Sequence, residues 1–253
     1  MQFVRFQSPA GPRWGRLQEG LVLELDGAPY NGGRENGQTY PADSVKLLPP
    51  VEPSKLICIG RNYADHAAEL GNTAPGEPMF FLKAPSALTA PGDPITIYHP
   101  EHGTHWEAEL AVVIGKKASK VSQAEALAYV FGYTIANDVS DRDYQKSDAP
   151  FGFGRGKSFD TFCPCGPVVV SGGVNPLDVM VTLTCNGETR QSDSTALMLH
   201  PVPKLISFLS AIMTLMPGDV ILTGTPKGVG PMKSGDCLAI TIPGIGTLSN
   251  PVQ

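Results

Sequence analysis

Positive charge is what this sequence is short of: 19 Lys and Arg stand against 24 Asp and Glu, for a formal net charge of −5, and no basic cluster occurs. A chain without a basic stripe has no electrostatic footprint for nucleic acid or an anionic membrane surface, so neither partner is expected. Long apolar runs are missing too. The greasiest stretch, residues 205–216, contains Ser and Thr and falls short of the roughly 20 residues a bilayer span needs. Met1-Gln2-Phe3-Val4-Arg5-Phe6 lacks the apolar core of a secretory leader. The five cysteines are an odd number without a Cys-x-x-Cys pair, which predicts free thiols in a reducing cytoplasm. Cys163-Pro164-Cys165 offers a metal or redox pair, but a structural role is the simpler reading.

Turn-forming residues are plentiful, with 28 Gly and 24 Pro, and the balance of 42% hydrophobic to 17% charged residues suits a globular enzyme. At 253 residues the chain can form one large domain, or one with a small appendage. Phe3-Val4-Arg5-Phe6 and Leu21-Val22-Leu23-Glu24-Leu25 read as strands between Gly/Pro/Asn-rich turns, and Pro49-Pro50-Val51-Glu52-Pro53 reads as a linker. The expected division is a small N-terminal β domain over residues 1–52 and a catalytic domain over 53–253. Beyond the linker, 56–60 reads as a buried strand and 62–70 as a short helix. Ser122-Gln123-Ala124-Glu125 has capping-box spacing and predicts a helix through Phe131 that Gly132 ends. A second helix is predicted over 204–215, stopped by Pro217-Gly218. Gly218-Asp219 and Gly235-Asp236 are turns leading into strands. Strands outnumber helices without regular alternation, so the expected class is a β-rich α+β fold.

Three acids stand out. His105-Trp106-Glu107-Ala108-Glu109-Leu110-Ala111-Val112-Val113-Ile114 reads as one strand, which puts Glu107 and Glu109 on one face and Leu110, Val112 and Ile114 on the other. Asp138 follows the apolar Tyr133-Thr134-Ile135-Ala136-Asn137 and is placed to end a neighbouring strand. Converging buried carboxylates either acquire raised pKa values or are compensated by a cation. An all-oxygen set without His or Cys suits Mg2+, Mn2+ or Ca2+ and not zinc. The plain alternative is two solvated glutamates on an edge strand and an unrelated turn Asp.

His66 and Glu69 are three apart and share a helix face, so Glu69 can orient His66 as a general base; an exposed polar helix face is the alternative. The Gly71, Pro75, Gly76 and Pro78 that follow suit a mobile lid. Gly154-Arg155-Gly156-Lys157-Ser158 resembles the end of a P-loop, but Phe151 stands where the first glycine is required. Lys157 in this segment is instead a candidate for neutralising an anionic substrate or an enolate. Arg142 is a candidate carboxylate clamp, or else pairs with Asp141 or Asp143. Thr225, in Thr223-Gly224-Thr225-Pro226-Lys227-Gly228-Val229-Gly230, is a candidate hydrogen-bond donor, or simply part of a turn.

From about Leu56 to the C-terminus the sequence resembles the fumarylacetoacetate hydrolase family. The resemblance rests on six segments in order: Gly60-Arg61-Asn62-Tyr63-Ala64-Asp65-His66, Phe81-Leu82-Lys83, Glu107-x-Glu109-Leu110, Asp138-x-x-x-Arg142-Asp143-x-Gln145, Lys157-Ser158-Phe159-Asp160 and Thr223-Gly224-Thr225-Pro226-x-Gly228-Val229-Gly230. It implies a mixed β-roll or barrel with a small N-terminal domain, usually as a homodimer. It implies Mg2+ or Mn2+ on Glu107, Glu109 and Asp138, and a water-activating dyad of His66 and Glu69 on a closing segment. Lys157, Arg142 and Gln145 would surround the oxoacid end of a small 2-oxo acid substrate, with Thr225 contacting it. Lys83 matches the motif without a clear contact to substrate.

The resemblance implies enolate chemistry with three outcomes. Hydrolysis of a 2,4-dioxo acid (an acylpyruvate) would release pyruvate, loss of a carboxylate would decarboxylate oxaloacetate, and proton movement would isomerise a hydroxymuconate-like diene. The His66/Glu69 dyad tilts the expectation toward the hydrolase, with isomerase or decarboxylase as the alternative and a non-catalytic oxoacid binder as a third reading. Gly156 stands where acylpyruvate-cleaving relatives often carry Ala, and Gly152-Phe153-Gly154-Arg155 also departs from the family pattern beside the pocket. His105 is either a partner to the first ligand or an exposed turn residue.

Overall fold

Short apolar runs form the centre of the molecule and decide where the polar residues between them end up. The computed structural model describes residues 1–253, apart from the side chain of Phe151. Its largest sheet runs, in spatial order, through Glu35–Pro41, Leu21–Leu25, Gly11–Gln18, Gln2–Ser8, Cys163–Val170, Val130–Asn137, Ala108–Ile114, Val220–Leu222, Leu56–Gly60 and Met79–Lys83. The sheet is mixed: Val220–Leu222 pairs parallel with Leu56–Gly60 and antiparallel with Ala108–Ile114. Its two end strands do not pair with each other, so the sheet is open and not closed into a barrel. A four-stranded antiparallel sheet (Glu188–Ser194, Met180–Cys185, Cys237–Ile242, Gly246–Pro251) and a small one (Ser140–Asp141, Thr104–Trp106, Gly230–Pro231) complete it. This is the β-rich α+β class that the sequence predicts. The first strand pairs with Cys163–Val170, Phe3 opposite Val169, so the N-terminal meander continues the main sheet.

Two sequence expectations change. The helix predicted from Ser122 through Phe131 is a single 3-10 turn, Ala126–Tyr129, followed directly by the strand Val130–Asn137. The capping contact does form, Ser122 Oγ donating to Glu125 Oε2 at 2.6 Å. The β-branched and aromatic residues beyond it pair with Ala108–Ile114 instead of extending a helix. The single strand predicted through His105 to Ile114 is broken at Glu107 into Thr104–Trp106 and Ala108–Ile114. All seven residues of the second piece are buried, because both sheet faces are covered and simple alternation no longer applies. The other two helices appear as Ala64–Glu69 and Val202–Ile212, close to their predicted spans.

The parallel pair is stapled at its entry by Asp219. Its fully buried carboxylate accepts from the backbone N–H groups of Ser54, Lys55 and Met216 and pairs with the Lys55 ammonium. Parallel strands exit on the same side, so Gly60-Arg61-Asn62 and Thr223-Gly224-Thr225 leave the sheet together. Antiparallel pairing of Ala108 with Asn137 brings Asp138 beside the Glu107–Glu109 segment. Among the described residues, no helix is long and apolar enough to cross a membrane.

Candidate active site

Glu107, Glu109 and Asp138 converge at that end of the sheet, each offering a carboxylate oxygen within 4.8 Å of the others, and all three are buried. The break at Glu107 is what brings the first acid in. Its N–H donates to Asn137 Oδ1 at 2.8 Å, while Asp138 N–H donates to the Glu107 carbonyl at 2.9 Å.

The three acids are not equally compensated. Glu107 meets Lys157 Nζ at 2.7 Å and Arg142 Nη2 at 2.7 Å. Burial raises its carboxyl, but these two cations outweigh that and hold it below the ordinary range. Asp138 meets Lys157 Nζ at 2.8 Å and Lys83 Nζ at 2.6 Å. Among the described residues no Lys or Arg forms an ion pair with Glu109; the Gly224 N–H donates to its Oε2 at 2.5 Å. Burial, then Asp138 and Glu107, push its carboxyl well above the ordinary range. Glu109 is thus the one acid of the three without a cation beside it, and three converging oxygen donors are the set a hard divalent cation takes. The residues therefore fit such an ion.

The cations follow from local structure. Asp141 caps the helix Arg142–Ser147, its Oδ1 accepting from the Asp143 and Tyr144 N–H groups at 3.1 and 3.0 Å. Arg142, on the first turn, donates from Nη1 to Gln145 Oε1 at 2.7 Å while reaching Glu107. The proposed pairing of Arg142 with Asp141 or Asp143 is thus not what forms. Lys157 ends the one-turn helix Gly154–Lys157. Burial would lower its pKa, but Asp138 and Glu107 raise it above the ordinary value, so it is an ammonium. The helix packs tightly on its neighbour: a Cβ on Gly156 would come within 2.7 Å of the Asp141 carbonyl oxygen and 2.8 Å of the Gln145 nitrogen.

A cavity of about 300 Å³ opens over this cluster, lined by Glu107, Asp138, Arg142, Gln145, Lys157, Thr225 and His66 among others. His66 Nδ1 lies 3.5 Å from Glu69 Oε2, leaving Nε2 for the cavity. Desolvation lowers the His66 pKa despite the opposing pull of Glu107, so the ring is neutral at pH 7. Glu69 is steadied by the Gly228 N–H, 3.1 and 3.2 Å from its two oxygens. The nine residues for which the sequence suggests a metal, dyad or substrate role are thus brought together, Glu69 behind His66 and Glu109 beneath the floor.

Lys83 has a supporting place. It contacts Asp138 from behind, donates to the Phe162 and Val139 carbonyls at 2.5 and 3.3 Å, and does not line the cavity. His105 is half-buried beside Arg142, with burial and that cation lowering it to about 4, and does not line the cavity either. Cys163 and Cys165 are buried, and burial lifts the Cys163 thiol to about 12, which suits packing and not redox chemistry.

Sequence reasoning missed Gln191. Its Oε1 accepts from the Ala108 N–H at 3.0 Å and its Nε2 donates to Thr225 Oγ1 at 2.8 Å, joining the acidic segment to the threonine loop. A lone Gln within a polar strand that is otherwise exposed or half-buried, Glu188–Ser194, carries no local signal. Asn62 lies in a motif segment, but the sequence assigns it no role. It clamps the Gly60-Arg61-Asn62 exit by donating to the His200 and Thr223 carbonyls at 3.0 and 2.7 Å.

A sequence profile for the fumarylacetoacetate (FAA) hydrolase C-terminal domain matches residues 55–253, and one for an Rv2993c-like N-terminal segment matches residues 1–50. Oxaloacetate tautomerase YisK of Bacillus subtilis is 47% identical over 228 residues, covering 84% of this chain and 75% of that protein. The mitochondrial oxaloacetate tautomerase fahd2 of Xenopus laevis is 42% identical over 219 residues, covering 83% and 69%. Among solved structures, 5-carboxymethyl-2-hydroxymuconate delta-isomerase from Mycobacterium smegmatis superposes with a TM-score of 0.92 at 42% identity, covering 100% of this chain and 99% of that one.

Proposed function

The chain belongs to the fumarylacetoacetate hydrolase family, and we propose that it is a divalent-metal-dependent tautomerase of a small 2-oxo dicarboxylic acid, with oxaloacetate as the simplest case. The observation that carries this is the charge of the site. Glu107, Glu109 and Asp138 are matched by Lys83, Lys157 and Arg142, so a divalent cation leaves a surplus that a dianionic substrate neutralises. The names of the tautomerase and isomerase relatives support moving a proton over hydrolysing an acylpyruvate.

A Mg2+ or Mn2+ ion held by Glu107, Glu109 and Asp138 would act as a Lewis acid toward the 2-oxo group, favouring negative charge on its oxygen. The chain's own groups supply the rest. Lys157, Arg142 and Gln145 surround the oxoacid end, Thr225 contacts it from the opposite loop, and the apolar walls exclude water. The Glu69 carboxylate, 3.5 Å from Nδ1, favours the tautomer with the proton on that nitrogen, so Nε2 is the base. Neutral Nε2 takes the hydroxyl proton of the enol and returns it to C3, completing the conversion to the ketone with no water consumed. The dyad therefore serves tautomerisation as well as hydrolysis and does not by itself select the latter. A homodimer in the cytoplasm, carried over from the family resemblance and the composition, completes the proposal; light scattering in solution tests the dimer.

The test follows the decay of enol-oxaloacetate absorbance with chelator-stripped protein, before and after adding Mg2+ or Mn2+. Metal-dependent acceleration that His66→Ala reduces by about 10²–10⁴-fold is the expected result. Pyruvate released from acetylpyruvate, with no acceleration of ketonisation, would restore the hydrolytic reading. Metal-dependent oxaloacetate binding without turnover of either compound would leave only a binder.

A further inference from the structure

We propose that Arg61 selects a dicarboxylic substrate by taking the carboxylate at the end remote from the metal-binding acids. This deepens the reading above and relies on it for the substrate's orientation, with the oxoacid end at Lys157 and Arg142. The same cavity extends from that floor to Arg61 and, at its rim, Lys146.

The cations around the cavity are not equally free. Arg142 and Lys157 are committed to Glu107 and Asp138. Among the described residues Arg61 makes neither a hydrogen bond nor an ion pair, although it is half-buried and lines the cavity. A partly desolvated guanidinium facing a cavity is a vacant fork for a carboxylate, because its planar donors match both oxygens. Met79 pairs with Gly60, next to Arg61, while Phe81 packs against Lys157 and Phe153, so these three give the cavity an apolar lining, and an apolar surround strengthens a single ionic contact.

The backbone gives the second observation. Arg61 has φ +56°, a left-handed conformation that side-chain-bearing residues seldom adopt. Both neighbours hold it there. Gly60 closes the strand Leu56–Gly60, and Asn62 is locked by the His200 and Thr223 carbonyls and by the His200 N–H, which donates to its Oδ1 at 2.9 Å. A turn needing only this geometry would be served by glycine. Keeping an arginine at such a point is accounted for by its side chain's position over the cavity. Lys146 is exposed and has no comparable constraint, so solvent and salt screen its attraction for the same carboxylate.

The test compares oxaloacetate with 2-oxobutyrate, which keeps the four-carbon chain but carries a methyl group in place of the distal carboxylate. Calorimetric affinities for both are measured on the full-length, Mg2+-loaded protein, alongside kcat/KM for enol ketonisation and for exchange of the 2-oxobutyrate C3 protons. Arg61→Gly removes the guanidinium while suiting the left-handed backbone, and should lower the binding preference for oxaloacetate over 2-oxobutyrate by about 10–100-fold. Arg61→Lys should retain part of it. An unchanged ratio in Arg61→Gly, or equal losses for both compounds, would overturn the assignment. So would a ratio abolished by Lys146→Gln but kept by Arg61→Gly, which would place the anchor at the rim. If the wild type turns over neither compound, the tautomerase reading fails while the affinity ratio still decides the role of Arg61. A wild type that binds both equally overturns it.

Discussion

Gln191 and Thr225 are joined at 2.8 Å, Nε2 to Oγ1, across 34 residues of sequence. The same amide group holds the Ala108 N–H and the Pro226 carbonyl, so one buried side chain sets the spacing between the acidic segment and the loop opposite. Gln191→Leu strands these backbone groups without partners, at about 1–3 kcal/mol each. A fall in Tm together with a raised KM is the expected outcome. A change in stability with KM unaltered would mean that Thr225 does not need this support to meet substrate.

Glu109→Gln separates metal binding from folding. The raised carboxyl of Glu109 reflects burial and crowding by Asp138 and Glu107, so the neutral amide relieves repulsion and the metal-free protein should be at least as stable as wild type. Stabilisation by added metal should vanish. For wild type at a hundredfold excess over Kd, that stabilisation is about 2.7 kcal/mol. Denaturation curves with chelator and with Mg2+ read both effects, and a variant that still gains stability from Mg2+ would remove Glu109 from the ligand set.

Lys83 and Lys157 should fail differently. Lys83 is fully buried behind Asp138 and outside the cavity, so Lys83→Met leaves a buried acid without its rear partner, a loss of about 3–5 kcal/mol in denaturant unfolding. Lys157 lines the cavity, and Lys157→Met should cost turnover under conditions where the protein is still folded. Equal catalytic loss in both variants at matched folded fraction would contradict this division.

Gly156→Ala forces a methyl group against two backbone atoms, the Asp141 oxygen and the Gln145 nitrogen. The helix carrying Lys157 must then move away from the one carrying Arg142. A destabilisation of about 1–3 kcal/mol, with kcat falling more than KM rises, is expected. Unchanged thermal unfolding and kinetics would show that the two helices separate freely.

Asp236 supplies a pH dependence remote from the acidic cluster. Burial raises its carboxyl, but the Asn186 amide, at 2.9 Å, and the Lys233 N–H more than offset this and hold it below the ordinary value. A depressed folded-state pKa stabilises the protein above the unfolded value, about 3.9 for Asp, and that contribution is lost as pH falls through the folded value. Unfolding measured from pH 7 downward should show a shallower acid loss in Asp236→Asn than in wild type. Parallel curves would mean that Asp236 contributes nothing to acid sensitivity.

Local chemistry was enough to reveal much of this protein. The β-rich class, the short helix bearing His66 and Glu69, and the turn before Val220 depend on propensities and on residues a few positions apart. The positions of the candidate ligands stand out in the same way, as carboxylates embedded in apolar runs, but the sequence alone leaves open two solvated glutamates and an unrelated turn Asp. Tertiary structure decided what periodicity could not. Burial on both faces removed the alternation expected across Ala108–Ile114, and a break at Glu107 set the first acid. Pairing with Ala108–Ile114 took the residues after Tyr129 into a strand, overriding a well-formed capping box. Contacts such as Gln191 with Thr225, Lys83 with Asp138 and Asn62 with Thr223 join residues far apart in the chain, from 34 to 161 positions. Their partners are fixed by strand order and register, which arise only when the whole sheet forms.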